Sequence, residues 1–126
     1  ENGKTNPTLA TIAKIAKDFD IIGVNNTGYG LKNFNRVSGN FEFFINNPIK
    51  PQPIFELMQK ESKFSDKDMY ETFNMGMGFF IICKGNDADK ILQVAKEGKM
   101  IGEVRKSNKL VTVLEKEGKK ISFEGY

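Results

Sequence analysis

The chain has 126 residues, of which 39% are hydrophobic and 28% are charged, and its formal net charge is +3. This composition is typical of a single globular domain with one core. Its 19 basic residues are interleaved with 16 acidic ones, so we expect no nucleic-acid partner. The chain has no histidine and a single cysteine, Cys83, which excludes Ser-His-Asp catalysis and a disulfide within the chain. No apolar run is long enough to span a membrane, and we expect a cytoplasmic protein.

The first part of the chain predicts two strands separated by a glycine-rich loop and a short helix. An earlier helix is predicted to begin at Asn6-Pro7, with asparagine as its cap and proline at its first position. Residues 21–24 predict a strand, residues 25–30 a glycine-rich loop, and residues 31–37 two helical turns. The alternation in Phe41–Ile45 predicts a second strand.

A proline-rich segment and a helix follow. Residues 46–53 hold three prolines and are expected to be irregular, because proline lacks an amide donor and disfavours helix before it. The next helix is predicted to begin at Pro53, and it has Ile54, Leu57 and Met58 on one face.

The remaining elements alternate between helices and strands. Ser65 is predicted to cap a helix that ends at residues 73–76, and the apolar run 78–83 predicts a central strand buried on both faces. Next come a predicted helix over 87–97, a strand over 100–105, and a hairpin of 109–114 and 120–123 around Glu117-Gly118. This order predicts an α+β fold, in which residues 1–126 form a single layered domain with a mixed β-sheet packed against helices.

Two glycine-containing segments are candidates for ligand binding. Residues 27–31 read Thr-Gly-Tyr-Gly-Leu between a strand and a helix, an order that can present backbone amides to a phosphate. The alternative is that glycine occurs at this turn only because the backbone φ there is positive, without any ligand. Residues 69–78 bring Asn74 and two glycines to the start of a strand, where an asparagine amide can donate and accept. The alternative is structural: the methionines and the phenylalanine of residues 69–78 are also typical of a core, and the Asn-Met-Gly sequence is also typical of the end of a helix.

In this order the segments resemble the C-terminal domain of the phosphoribosylformylglycinamidine cyclo-ligase (AIR synthetase) family. Residues 27–31 with Arg36-Val37 resemble the family's T-G-G-G-L loop and the helix after it. Residues 53–57 resemble its proline-led helix, and residues 100–104 resemble its I-G-x-V strand. Residues 69–78 are similar to its M-Y-x-T-F-N-x-G-x-G signature, which is the most specific of the four.

The resemblance implies an ATP-dependent ligase of purine biosynthesis. In this reaction the formyl oxygen of formylglycinamidine ribonucleotide is phosphorylated, and an internal nitrogen displaces phosphate to give aminoimidazole ribonucleotide. Family enzymes are homodimers of two-domain chains, and their amino-terminal domain carries most of the ATP and magnesium machinery. That domain is absent from this sequence, so we expect the chain to need it as a partner and to be inactive alone.

The resemblance also implies which residues contact the substrate or nucleotide, and it assigns no catalytic or metal-binding residue. The implied contacts are Asn26, Thr27, Gly28, Tyr29, Gly30, Phe73, Asn74, Met75, Gly76 and Gly78. Two positions depart from the family pattern: Asn25 stands where many members carry histidine, and Tyr29 replaces the middle glycine.

Two alternatives remain open at this point. Selenophosphate synthetase, thiamine-monophosphate kinase and hydrogenase maturation proteins share a related two-domain plan, although the Phe-Asn-Met-Gly of residues 73–76 favours the cyclo-ligase. The other alternative is a stand-alone ligand-binding or assembly module that has the fold without catalysis.

Overall fold

The computed structural model describes residues 21–126, so the helix predicted from Asn6-Pro7 lies outside the described residues. The elements follow the predicted order closely. They are β1 (Ile22–Asn25), the 3-10 helix η1 (Gly30–Arg36), β2 (Phe41–Ile45), α1 (Pro53–Ser62), α2 (Asp66–Thr72), β3 (Phe79–Ile82), α3 (Gly85–Val94), β4 (Gly102–Lys106), β5 (Val111–Lys116) and β6 (Lys119–Glu124).

The main sheet is mixed, as the sequence predicts. Its strands lie in the order β4-β2-β5-β6, with β2 parallel to β5 and the other neighbours antiparallel. A separate antiparallel pair, β1 with β3, runs from the Ile22–Ile82 partners to the Asn25–Phe79 partners. Strands of one mixed sheet accompanied by helices confirm the predicted α+β class.

Local turn and cap chemistry also agrees with the predictions. Ser65 accepts a hydrogen bond from the Asp68 amide, and the Asp68 carboxylate accepts from the Ser65 amide, which completes a capping box at the start of α2. Glu117 and Gly118 have φ values of 53° and 78°, as a type I′ turn between β5 and β6 requires. The predicted hairpin is therefore confirmed.

The prediction of a central strand buried on both faces over residues 78–83 is wrong. Within residues 21–126, β3 pairs with β1 alone. Phe80 is buried, whereas Phe79 and Ile81 are 44% and 41% exposed. Successive side chains of a strand point to opposite faces, and a two-stranded sheet covered on one side leaves every second residue open.

The helix that begins at Pro53 packs against the core through Phe55 and Met58, so that only Met58 of the predicted apolar face is covered. Ile54 and Leu57 are exposed, while Phe55 and Met58 are partly buried against the core. The Phe55 ring lies 6.1 Å from the ring of Phe73, the residue that ends α2. Residues 55 and 58 also share a helix face, and the position of α2 decides which face is covered.

The core joins the two sheets through stacked aromatic rings. Phe34 of η1 lies between Phe43 of β2, at a centroid distance of 5.1 Å, and Phe80 of β3, at 4.1 Å. Offset stacking at such distances adds to the burial of apolar area. η1 is therefore held against both sheets. In the part of the chain that is described, no helix has the length and apolarity needed to cross a membrane.

Candidate functional site

The glycine-rich loop between β1 and η1 is tightly coiled. Gly28, Tyr29 and Gly30 have successive φ values of 62°, 43° and 52°, all in the left-handed region. The Gly30 amide donates to the Gly28 carbonyl, and the Lys32 amide donates to the Tyr29 carbonyl at 3.1 Å. The helix after the loop is a seven-residue 3-10 helix, Gly30–Arg36, which agrees with the two helical turns predicted over residues 31–37.

Gly30 packs directly against helix α2. A Cβ atom on this residue would lie 1.8 Å from the Tyr70 carbonyl oxygen, so only glycine fits. Beside this contact, the Lys32 ammonium pairs with the Glu71 carboxylate at 2.8 Å. The predicted site residue Gly30 is therefore a packing residue that fixes the loop against the end of α2.

The other end of the loop is open. A Cβ on Gly28 would meet no atom within 4 Å, and Thr27, Gly28 and Tyr29 are all exposed. Within residues 21–126, the amides of these three residues have no hydrogen-bond acceptor. Unpaired amides on an exposed turn can bind an anion. The exposed Tyr29 ring packs against Tyr126 at a centroid distance of 5.2 Å.

Asn26 connects the loop to the second glycine segment. It is 1% exposed, and its side-chain nitrogen donates to the Met77 carbonyl at 2.6 Å. Its main-chain amide donates to the Gly78 carbonyl at 3.0 Å. The structure therefore brings together the two motifs that the sequence singled out.

Asn33, which the sequence analysis did not select, lies inside the loop. It is completely buried, and its side-chain nitrogen lies 2.9 Å from Asn26 Oδ1 and 2.8 Å from the carbonyl oxygens of Gly28 and Gly30. Its side-chain oxygen has no hydrogen-bond partner among the described residues. A signal was present in the sequence, because an asparagine between Leu31 and Phe34 interrupts the apolar residues of the short helix.

The second segment forms a tight turn before β3. The Met77 amide donates to the Asn74 carbonyl at 2.9 Å, and the central residues Met75 and Gly76 have φ values of 52° and 90°. Asn74 is exposed, and its side-chain oxygen accepts from the Gly76 amide at 2.9 Å. This Asx-type bond leaves the side-chain nitrogen of Asn74 available to a ligand.

The other predicted residues of this segment divide between core and surface. Met75 is 4% exposed and belongs to the core, and Phe73 is partly buried against Phe55. Their side chains are thus occupied by packing. Gly78 is exposed, and a Cβ there would meet nothing within 4 Å, so the chain is open to approach at this point.

The phenol of Tyr70 lies in the helix that packs against the loop. Burial raises the pKa of the Tyr70 phenol, with a further contribution from the Asp66 carboxylate, so this phenol stays neutral. Among residues 21–126, no three His, Cys, Asp or Glu side chains are grouped to hold a metal ion.

A larger cavity of about 900 Å³ lies between β3, α3 and β4 and reaches Gly76–Gly78. Its walls are mostly apolar, with Ile45, Met77, Phe80, Ile91 and Ile101 among its lining residues. Asn46, Asn47 and Lys99 also line it, but most of its wall is apolar and offers a phosphate no hydrogen-bond donor. The loop with its open amides remains the better candidate site.

Fold and site together define a layered α+β domain with an exposed glycine loop. The chain belongs to the family described as the C-terminal domain of AIR synthase related proteins. The family model matches residues 34–115. The matched residues include the turn at residues 73–78 and begin after the glycine-rich loop.

Several relatives are named phosphoribosylformylglycinamidine cyclo-ligase. The chain is 40% identical over 105 residues to that of Methanococcoides burtonii, a match that covers 82% of this chain and 31% of the relative. It is 45% identical over 82 residues to that of Methanosarcina acetivorans, covering 64% and 24%. For Methanocaldococcus jannaschii the identity is 32% over 106 residues, covering 83% and 30%. The matches therefore cover only 24–31% of the length of these curated relatives.

Proposed function

We propose that this chain is the C-terminal domain portion of an ATP-dependent cyclo-ligase that converts formylglycinamidine ribonucleotide to aminoimidazole ribonucleotide in purine biosynthesis. One observation carries the proposal: Asn26 bonds to both Met77 and Gly78, so that the loop and the turn form one surface. The chain's similarity to named cyclo-ligases over this part of the sequence supports the same activity.

In this proposal the loop binds the phosphate of the ribonucleotide. Thr27, Gly28 and Tyr29 are exposed, and their amides are free of acceptors within residues 21–126. Hydrogen bonds from amides to a charged phosphate are stronger than those between neutral groups. The short 3-10 helix adds little dipole, so the loop amides account for the affinity.

The turn supplies the neighbouring contacts. The free side-chain nitrogen of Asn74 can donate to a ligand oxygen, and the exposed Gly78 lets the ligand lie against the backbone. Phe73, Met75 and Gly76 shape the turn, and any ligand contact of Met75 is made by its backbone, because its side chain is buried.

Magnesium and ATP are assigned to the amino-terminal domain of the same enzyme, which is the chain's proposed partner within a homodimer. The described residues do not fit magnesium, since no group of three potential ligands occurs among them. This portion therefore binds and orients the substrate, and no step of phosphoryl transfer is routed through its side chains.

An amide chemical-shift titration with ribose 5-phosphate tests the loop assignment. We expect shifts at residues 27–29 that saturate, and weaker ones with inorganic phosphate. Gly28→Val should abolish them, because a β-branched residue is strained at φ 62° and crowds the open amides.

Gly118→Val is the matched control. Gly118 has a φ of 78° and is as open as Gly28, but it lies in the β5–β6 turn. Flat shifts at residues 27–29 in the unsubstituted protein, with another surface responding, would refute the phosphate assignment. Equal losses of these chemical shifts in Gly28→Val and Gly118→Val would also refute it.

A further inference from the structure

The loop is built around the buried side-chain amide of Asn33. Asn33 presents two hydrogens to three acceptors, namely Asn26 Oδ1 and the carbonyl oxygens of Gly28 and Gly30, all within 2.9 Å. In a 3-10 helix, residues three apart lie on the same face, which sets Asn33 over Gly30. The carbonyls of the loop therefore converge on Asn33.

This convergence fixes the direction of an amide on the other side of the loop. No peptide bond within residues 21–126 is cis, and in a planar trans peptide the C=O and N–H point in opposite directions. Because the Asn33 side chain and the Gly30 amide together hold the Gly28 carbonyl inward, the Tyr29 N–H that shares its peptide plane points outward. That N–H is one of the amides without an acceptor in the described chain.

Asn33 donates hydrogen bonds to the carbonyls of the loop, but its own side-chain oxygen makes none within the described residues. Its side-chain oxygen is buried without a partner in the described residues, and such an orphan is unfavourable in a folded protein. An apolar residue at this position of η1 would avoid that orphan, but would leave the Gly28 carbonyl with only the Gly30 amide as its donor and would remove the side-chain donor of the Gly30 carbonyl. The arrangement therefore favours the geometry of the loop over the hydrogen bonding of the helix residue.

The same short helix holds a second buried asparagine with a different task. Asn35 donates to the carbonyls of Phe123 and Gly125, each at 3.0 Å, and accepts from Thr112 at 3.1 Å. It fastens the end of β6 to η1 and makes no bond to the loop. Asn33 and Asn35 are thus both buried asparagines of η1. They differ in their partners, because Asn33 bonds to the loop and Asn35 does not.

We infer that Asn33 is a positioning residue that aims the Tyr29 amide at the phosphate of the substrate. The inference rests on the proposed phosphate site. Asn33 itself does not touch the ligand, and its effect is transmitted through the Gly28 carbonyl. Since this end of the substrate does not react, loss of the bond should weaken binding of substrate and transition state alike, which raises KM and leaves kcat unchanged.

The experiment compares Asn33→Ala and Asn35→Ala in the full-length protein that contains this chain. Steady-state kinetics give KM for the ribonucleotide, KM for ATP and kcat, and thermal unfolding gives stability. For Asn33→Ala we expect KM for the ribonucleotide to rise about tenfold, as for one charge-assisted hydrogen bond, with kcat and KM for ATP nearly unchanged. For Asn35→Ala we expect a similar loss of melting temperature and an unchanged KM.

Asn33→Ser keeps one donor and should give an intermediate KM, which also covers the case in which the alanine variant does not fold. Unchanged KM in folded Asn33 variants, or an equal rise in Asn35→Ala, would overturn the inference while leaving the phosphate site intact. So would unfolding of both Asn33 variants beside a folded Asn35→Ala. If the unsubstituted enzyme shows no shift with ribose 5-phosphate at residues 27–29, the proposed site fails first.

Discussion

The side-chain nitrogen of Asn26 donates a 2.6 Å hydrogen bond to the main-chain carbonyl of Met77, a residue 51 positions further along the chain. The main-chain amide of Asn26 extends the contact to Gly78. A glycine loop and a glycine turn that are remote in sequence are thus joined by two hydrogen bonds. A ligand that contacts both meets a surface that is already assembled, which lowers the ordering cost of binding.

Asn26→Ala should destabilise the protein by about 1–3 kcal/mol, because it leaves the buried Met77 carbonyl without its side-chain donor and removes one of the three acceptors of the Asn33 amide. Chemical denaturation measures the loss. Asn47→Ala is the control, since the exposed Asn47 makes a single bond of 3.1 Å to Met100. Its expected cost is at most about 0.5–1.5 kcal/mol. Equal costs would show that the Asn26 link contributes nothing special.

Gly30→Ala should be far more damaging than Gly28→Ala. Both residues have left-handed φ values, so each alanine pays about 1–2 kcal/mol of backbone strain. Only the Gly30 variant adds a clash with the Tyr70 carbonyl, which must push the loop away from α2. Melting temperatures of the two variants make the comparison. Similar values would mean that the loop can move from α2 without cost.

Asn74→Ala in the full-length enzyme should lower kcat/KM far more than it lowers stability. The bond that its side chain makes to the Gly76 amide is exposed, and losing it should cost about 0.5–1.5 kcal/mol. The free side-chain nitrogen is the proposed ligand donor. Kinetics and thermal unfolding are measured on the same samples. A collapse in melting temperature with normal activity in the surviving folded enzyme would make Asn74 purely structural.

The stability contributed by Asp66 should depend on pH. A hydrogen bond from Gln59 and the nearby Lys116 ammonium lower the pKa of this carboxyl below its ordinary value of 3.8. The carboxylate therefore stabilises the fold above about pH 4, and this contribution is lost as the pH falls through the folded-state pKa.

Asp66→Asn should lower the free energy of unfolding at pH 7 by only about 0.2–1 kcal/mol, because the Asp66–Lys116 pair is partly exposed. The deficit should be smaller at pH 3, because the carboxyl loses its charge as the pH falls through the folded-state pKa. Urea unfolding at both pH values measures it, with Asp89→Asn on the exposed side of α3 as control. A deficit that persists undiminished at low pH would rule out the ionic origin.

The 126-residue chain alone should show no ATP-dependent cyclisation, since its described residues hold no metal-binding group. The assay mixes it with magnesium-ATP and formylglycinamidine ribonucleotide and measures aminoimidazole ribonucleotide. Activity that appears only when an amino-terminal domain is added would support the proposed division of roles, in which that domain binds magnesium and ATP and this chain binds the substrate. Steady turnover by the chain alone would refute it.

Many elements could be predicted from the sequence because their signals are local. The β5–β6 hairpin follows from Glu117-Gly118, the start of α2 follows from the Ser65 and Asp68 capping box, and β2 follows from alternation. Each depends on residues within a few positions of one another. The exposure of Phe79 and Ile81 was not predictable in this way, because it depends on which strands and helices cover β3.

The sequence by itself determined the α+β class, the order of the elements and the two glycine segments, since backbone preference and periodicity act between neighbours in the chain. Tertiary structure alone decided that Gly30 is a packing residue against Tyr70, and that Asn26 joins the loop to Met77. It also decided that Asn33 lies at the centre of the loop. These relationships depend on distances between separate elements, and such distances exist only once the core has packed.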